Sequence, residues 1–96
     1  MTKKEQKRIL TQMFYDWMEE NYPEFQIDDY GNGGRIDCGI NIEGRFESFE
    51  YHRSRFTTCY INETPNIVKQ VADKLEQYIS DAIDNEAYLT YNRVSR

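Results

Sequence analysis

Apolar positions recur along this chain in two rhythms, near 3.6 residues at both ends and two residues in between. Ile9, Leu10, Met13, Phe14, Trp17 and Met18 are spaced three and four apart, which predicts an amphipathic first helix. Thr2-Lys3-Lys4-Glu5 reads as its capping box, and Pro23 ends it, because the residue before a proline is pushed out of the helical region. Ile36, Cys38, Ile40 and Ile42 then alternate with Asp37, Gly39, Asn41 and Glu43, the signature of a half-buried strand. Arg45 to Tyr51 and Phe56 to Ile61 are rich in aromatic or β-branched residues and read as two more strands, with Phe25-Gln26-Ile27 as a short one. Asp28-Asp29-Tyr30 with Gly31-Asn32-Gly33-Gly34, Glu43-Gly44 and His52-Arg53-Ser54-Arg55 punctuate them as turns. Connections this short predict neighbouring antiparallel pairing.

Thr64-Pro65 predicts a second helix, with Thr as cap and Pro in the first helical position. Its apolar arc is Val68, Val71, Ala72, Leu75, Tyr78, Ile79, Ala82 and Ile83, opposite Lys69, Asp73, Gln77, Ser80 and Asp84. It either ends near Asp84-Asn85 or kinks there and runs on to Leu89. Residues 90–96 carry two bases and little core signal. The expected fold is a single α+β domain over residues 1–96: an N-terminal helix, an antiparallel meander of three to four strands, and a C-terminal amphipathic helix. Both helices are expected to cover one sheet face.

Charge alters this picture at the first helix. Lys3, Lys4, Lys7 and Arg8 crowd its amino end and Asp16, Glu19 and Glu20 its carboxyl end, the reverse of what the helix dipole favours. Each misplaced charge costs about 0.3–1 kcal/mol, so a purpose other than local stability is implied. The acids continue through Glu24, Asp28 and Asp29, so that residues 16–29 hold six acids and no base. Asp81, Asp84 and Glu86 repeat the reversal at the end of the second helix. A formal charge of −5 argues against a generic nucleic-acid binder and suits a partner with a basic surface.

Chemistry is sparse. His52 is the single histidine, which leaves little for a histidine-based metal site or a Ser/His/Asp triad. Cys38 and Cys59 stand in no metal or redox spacing and read as small core residues that would approach only if their strands paired. Gly31-Asn32-Gly33-Gly34 precedes a strand rather than a helix and reads as a turn, not a phosphate loop. His52-Arg53-Ser54-Arg55 could contact an anion, but solubility of a hairpin turn is the favoured reading. No catalytic residue, cofactor or metal site is expected. No signal peptide or apolar run of spanning length is read, so a cytoplasmic setting in a bacterial host and no membrane contact are expected.

The remaining candidate is a partner-binding surface made of Asp16, Glu19, Glu20, Tyr22, Glu24, Asp28, Asp29 and Tyr30. Tyr15 is expected on the polar side of the helix, and Tyr22 and Tyr30 would serve as interface anchors. Small size, acidity, a Tyr-rich α+β outline and the block Asp16 to Asp29 resemble the anti-CRISPR inhibitors of phages and prophages. That resemblance implies a non-enzymatic inhibitor, monomer or homodimer, whose carboxylates dock on a basic nucleic-acid-binding groove of a protein, possible targets including an RNA-guided nuclease. No direct nucleic-acid contact is implied. The alternative is an accessory protein assembling through Tyr22, Phe25, Phe49 and Tyr51, and the bland reading of the acids is a solvated rim.

Overall fold

The computed structural model describes residues 1–31 and 34–91. Helix α1 spans Lys3–Asn21, strands β1 to β4 span Gln26–Asp29, Arg35–Ile42, Arg45–His52 and Thr57–Cys59, and helix α2 spans Asn66–Asp84. The strands pair antiparallel in chain order, as an uninterrupted meander. The α+β reading holds.

Each element follows from local chemistry. The Thr2 hydroxyl accepts from the Glu5 N–H at 3.1 Å and caps α1, while the Glu5 carboxylate turns to Arg8 rather than closing the capping box. Tyr22 ends the helix, donating its N–H to the Met18 carbonyl at 2.7 Å. Glu43 and Gly44 both take positive φ, 51° and 83°, as a two-residue hairpin matched to strand twist requires. That turn sets the β2–β3 register, with Ile36 opposite Tyr51, Cys38 opposite Phe49 and Ile40 opposite Glu47. The slot of Cys38 and Phe49 is filled from β1 by Ile27, which pairs with Cys38.

These paired residues face the helices. Phe14 of α1 stacks on Tyr51 at 4.6 Å and 8°, and Glu76 of α2 accepts from the N–H (2.6 Å) and hydroxyl (2.9 Å) of Thr58, Tyr51's neighbour on β4. Both helices thus lie on one face of the sheet, around a core of Leu10, Phe14, Met18, Ile36, Leu75 and Ile79, all fully buried. Trp17 stacks on Tyr78 (5.7 Å), and one turn earlier Met13 borders the same hollow as Ala82 and Asn85, so the helices run antiparallel.

Several boundaries differ from the periodicity. β1 runs on through Asp28 and Asp29, because the backbone pairing with Asp37 and Ile36 outweighs the turn-like composition. Phe56 is not in a strand: it sits at φ 56° in the β3–β4 turn, donating its N–H to the His52 carbonyl at 2.8 Å. Thr64 is buried and does not cap α2; Pro65 takes the cap position without a side-chain bond. The helix stops at Asp84, and Glu86, left-handed at φ 54°, redirects the chain into a single 3₁₀ turn, Ala87–Leu89. Tyr91 packs back on the core, which the weak apolar signal after Thr90 did not suggest. Asn32, Gly33 and residues 92–96 of the predicted turn and tail lie outside the described residues.

Candidate partner-binding surface

The acidic block does not form one surface. Asp16 is only 8 % exposed and accepts from Gln12 Nε2 at 2.9 Å and from the Tyr91 hydroxyl. It is a buried structural acceptor, not a docking carboxylate, since the chain after α2 folds back over it. Tyr15 likewise leaves the polar side: its ring packs edge-on to Phe14 (5.1 Å) and its hydroxyl donates to Asp29 at 3.1 Å. Asp29 also accepts from the Gly31 N–H (2.8 Å) and Arg53 (3.2 Å), so its charge is spent within the fold. Burial, then the Asp29 charge and hydrogen bond, push the Tyr15 hydroxyl up to about 12.

Asp28 points the other way, onto the open face of the sheet, in a cross-strand row with Asp37 and Glu50. Two of those three acids are answered. Arg35 makes a bidentate pair with Asp37 (2.7 and 2.9 Å) and reaches Glu50 at 3.6 Å, and His52 Nε2 lies 3.1 Å from Glu50. The Arg35 hydrogen bond holds the Asp37 carboxyl below the usual range. Tyr30, 58 % exposed, lies under the Arg35 guanidinium at 5.1 Å. Cys38 is buried among the core and Cys59 is exposed, with β3 between their strands, so no disulfide joins them.

What the structure does bring together is the end of α1 and the loop after it. Glu19, Glu20 and Glu24 are exposed there; Glu19 alone of the three lines a hollow of about 260 Å³, while Glu20 bears on Tyr78 of α2. Its walls are Met18, Tyr22, Pro23, Phe25 and Ile27, and Glu19 stands at its border. Tyr22 is half-buried between Trp17 (5.5 Å) and Phe25 (5.8 Å), an aromatic chain that stiffens the loop. An apolar hollow bordered by carboxylate suits the side chain of Lys or Arg, whose stem can be buried while the charged head stays at the rim.

No family model, curated protein or solved structure matches the chain. Among the described residues, no three His, Cys, Asp or Glu side chains gather as a metal site, and no helix is long and apolar enough to cross a membrane.

A second concavity went unpredicted. It measures about 780 Å³ and lies between the amino half of α1 and the β3–β4 turn, lined by Lys4, Lys7, Arg8 and Arg53 with Thr11, Gln12 and Ser54. The signal in the sequence was the crowd of bases at the wrong end of α1; what periodicity could not show was Arg53 arriving beside them. The turn His52 to Arg55, read as hairpin solubility, therefore contributes one wall. The acids closing α2 also do not extend the acidic surface, because the antiparallel helices set Asp84 level with the middle of α1 and away from Glu19 and Glu20.

Proposed function

We propose that this chain is a non-enzymatic binding protein that docks the rim of Glu19, Glu20 and Glu24 on a basic surface of a protein partner. The observation that supports it is the small apolar hollow bordered by the exposed Glu19, a receptor suited to one basic side chain of that partner, with Glu20 and Glu24 exposed on the same helix end and loop. A partner surface rich in Lys and Arg is of the kind that binds nucleic acid, so the complex would block a nucleic-acid site, in the manner of an anti-CRISPR inhibitor acting on an RNA-guided nuclease. Complementary potentials would speed and orient the encounter, and salt would weaken it. Asp28 is a secondary contact on the adjoining sheet edge; Asp16 and Asp29 act inside the fold.

The assembly alternative is weaker, because the residues it needs are unavailable: Phe25, Phe49 and Tyr51 are buried and Tyr22 is half-buried. The test is capture of partners from bacterial lysate on the immobilised chain, compared with a Glu19→Lys, Glu20→Lys, Glu24→Lys variant whose fold is checked by circular dichroism. Loss of a specific partner by the folded variant is expected. Undiminished capture would sink the proposal.

A further inference from the structure

The larger concavity has the opposite sign to the protein that carries it. Four of its lining side chains are cationic and none is acidic, on a chain of net charge −5. Arg8 is paired with Glu5, and Arg53 with Asp29, leaving Lys4 and Lys7 without an ion-pair partner among the described residues. Two positive charges are therefore in surplus. Lys4 lies in the first turn of α1, so the positive end of the helix dipole adds to them. Arg53 is fixed in place: its guanidinium is 3.2 Å from Asp29 and 3.4 Å from the Gly31 carbonyl, and its side chain is only 19 % exposed. Between the cations the wall is polar and neutral: Ser54 offers a hydroxyl and Gln12 its second amide N–H, the first being given to Asp16, while the Thr11 hydroxyl is spent on the Lys7 carbonyl at 2.7 Å.

We propose that this groove binds a compact anion carrying two or more linked phosphates, held by Lys4, Lys7, Arg8 and Arg53. A volume of about 780 Å³ is in the range of small-molecule sites. A long nucleic-acid strand fits less well, because whatever leaves the groove meets a protein whose remaining surface is strongly acidic. The groove also offers no free aromatic face on which to stack bases: Tyr15, the one aromatic in its wall, is packed on Phe14 and tied to Asp29. The site explains the bases at the amino end of α1, which cost local stability and gain a ligand in return.

The experiment is a titration of the whole chain with inorganic tripolyphosphate and, separately, ADP at low salt, followed by calorimetry and by amide chemical shifts. Tripolyphosphate should bind, with shifts centred on Lys4, Lys7, Arg8, Thr11, Gln12 and Ser54. Lys4→Gln with Lys7→Gln, both exposed positions, should weaken binding by about tenfold or more, as loss of two charge-assisted contacts implies. Lys69→Gln with Lys74→Gln, equal in charge but on α2, should leave it unchanged. Equal affinity for ADP would show that the phosphates alone are read, and tighter ADP binding that a nucleoside is read as well. Absence of binding, equal weakening by both variants, or a single-stranded oligonucleotide binding more tightly than either small anion would overturn the proposal.

Discussion

With 8 % of its surface exposed, the Asp16 carboxylate accepts from Gln12 and from Tyr91, so its removal strips an acceptor from two donors at once. Asp16→Ala should destabilise the fold by about 1–3 kcal/mol in denaturant melts, whereas Glu20→Ala, on the exposed rim, should stay within about 0.5 kcal/mol. Equal effects would mean that Asp16 is not the anchor of the chain end. Gly39 makes a different demand: a Cβ there would come within 2.4 Å of the Phe46 ring and 2.9 Å of the Glu47 carbonyl. The ring can swing out to solvent but the carbonyl belongs to the β2–β3 ladder, so Gly39→Ala should cost about 1–3 kcal/mol by overpacking, and Phe46→Ala should restore only part of it. Tyr15 gives a pH signature. Its hydroxyl is raised from 10.0 to about 12, so the neutral phenol is the form the fold favours. The stability this contributes is complete below the unfolded value and lost as pH rises through the folded one. Tyr15→Phe should therefore flatten the fall of denaturation midpoint with pH over that alkaline interval; an unchanged slope would contradict the assignment.

At the scale of elements, what was legible in the sequence was whatever depends on near neighbours. The apolar stripe Ile9 to Met18, the alternation Ile36 to Ile42 and the arc Val68 to Ile83 each became the expected element, because burial on one face is imposed by period alone. Ladder pairing decided the rest. β1 extends over Asp28 and Asp29 only because β2 lies beside it, and β4 shortens to three residues because Phe56 is used to turn the chain at one end and the pairing with β3 stops at Cys59, before Tyr60 and Ile61, at the other. The candidate site shows the same divide. Glu19 and Tyr22, near neighbours in sequence, line one hollow, and Glu20 and Glu24 stay exposed on the same helix end and loop. Asp16, Asp28, Asp29 and Tyr30 are dispersed by the helix period, by the alternation of β1 and by partners 24 or more residues away, such as Arg53 and Tyr91. Glu76 exemplifies a contact with no local signal: it fastens β4 to α2 through Thr58, so Glu76→Ala should cost about 1–3 kcal/mol and raise amide exchange at Thr57 to Cys59 first.

On the scale of the whole molecule, charge separates into two poles that the net value conceals. The carboxyl end of α1 and the following loop present acids beside an apolar hollow, and the amino end of the same helix presents bases in a larger groove. On the two proposals made above, the reversed polarity of α1 would serve one binding surface at each end of the helix, at the expense of its dipole energy. The acidic pole carries the proposed function. Its most direct test is whether nucleic acid and the chain compete for one partner surface. A partner held on the immobilised chain at low salt should be released both by raising salt and by adding nucleic acid, and should not be held by the Glu19→Lys, Glu20→Lys, Glu24→Lys variant. A partner that stays bound in the presence of excess nucleic acid, and binds that variant equally well, would contradict the account.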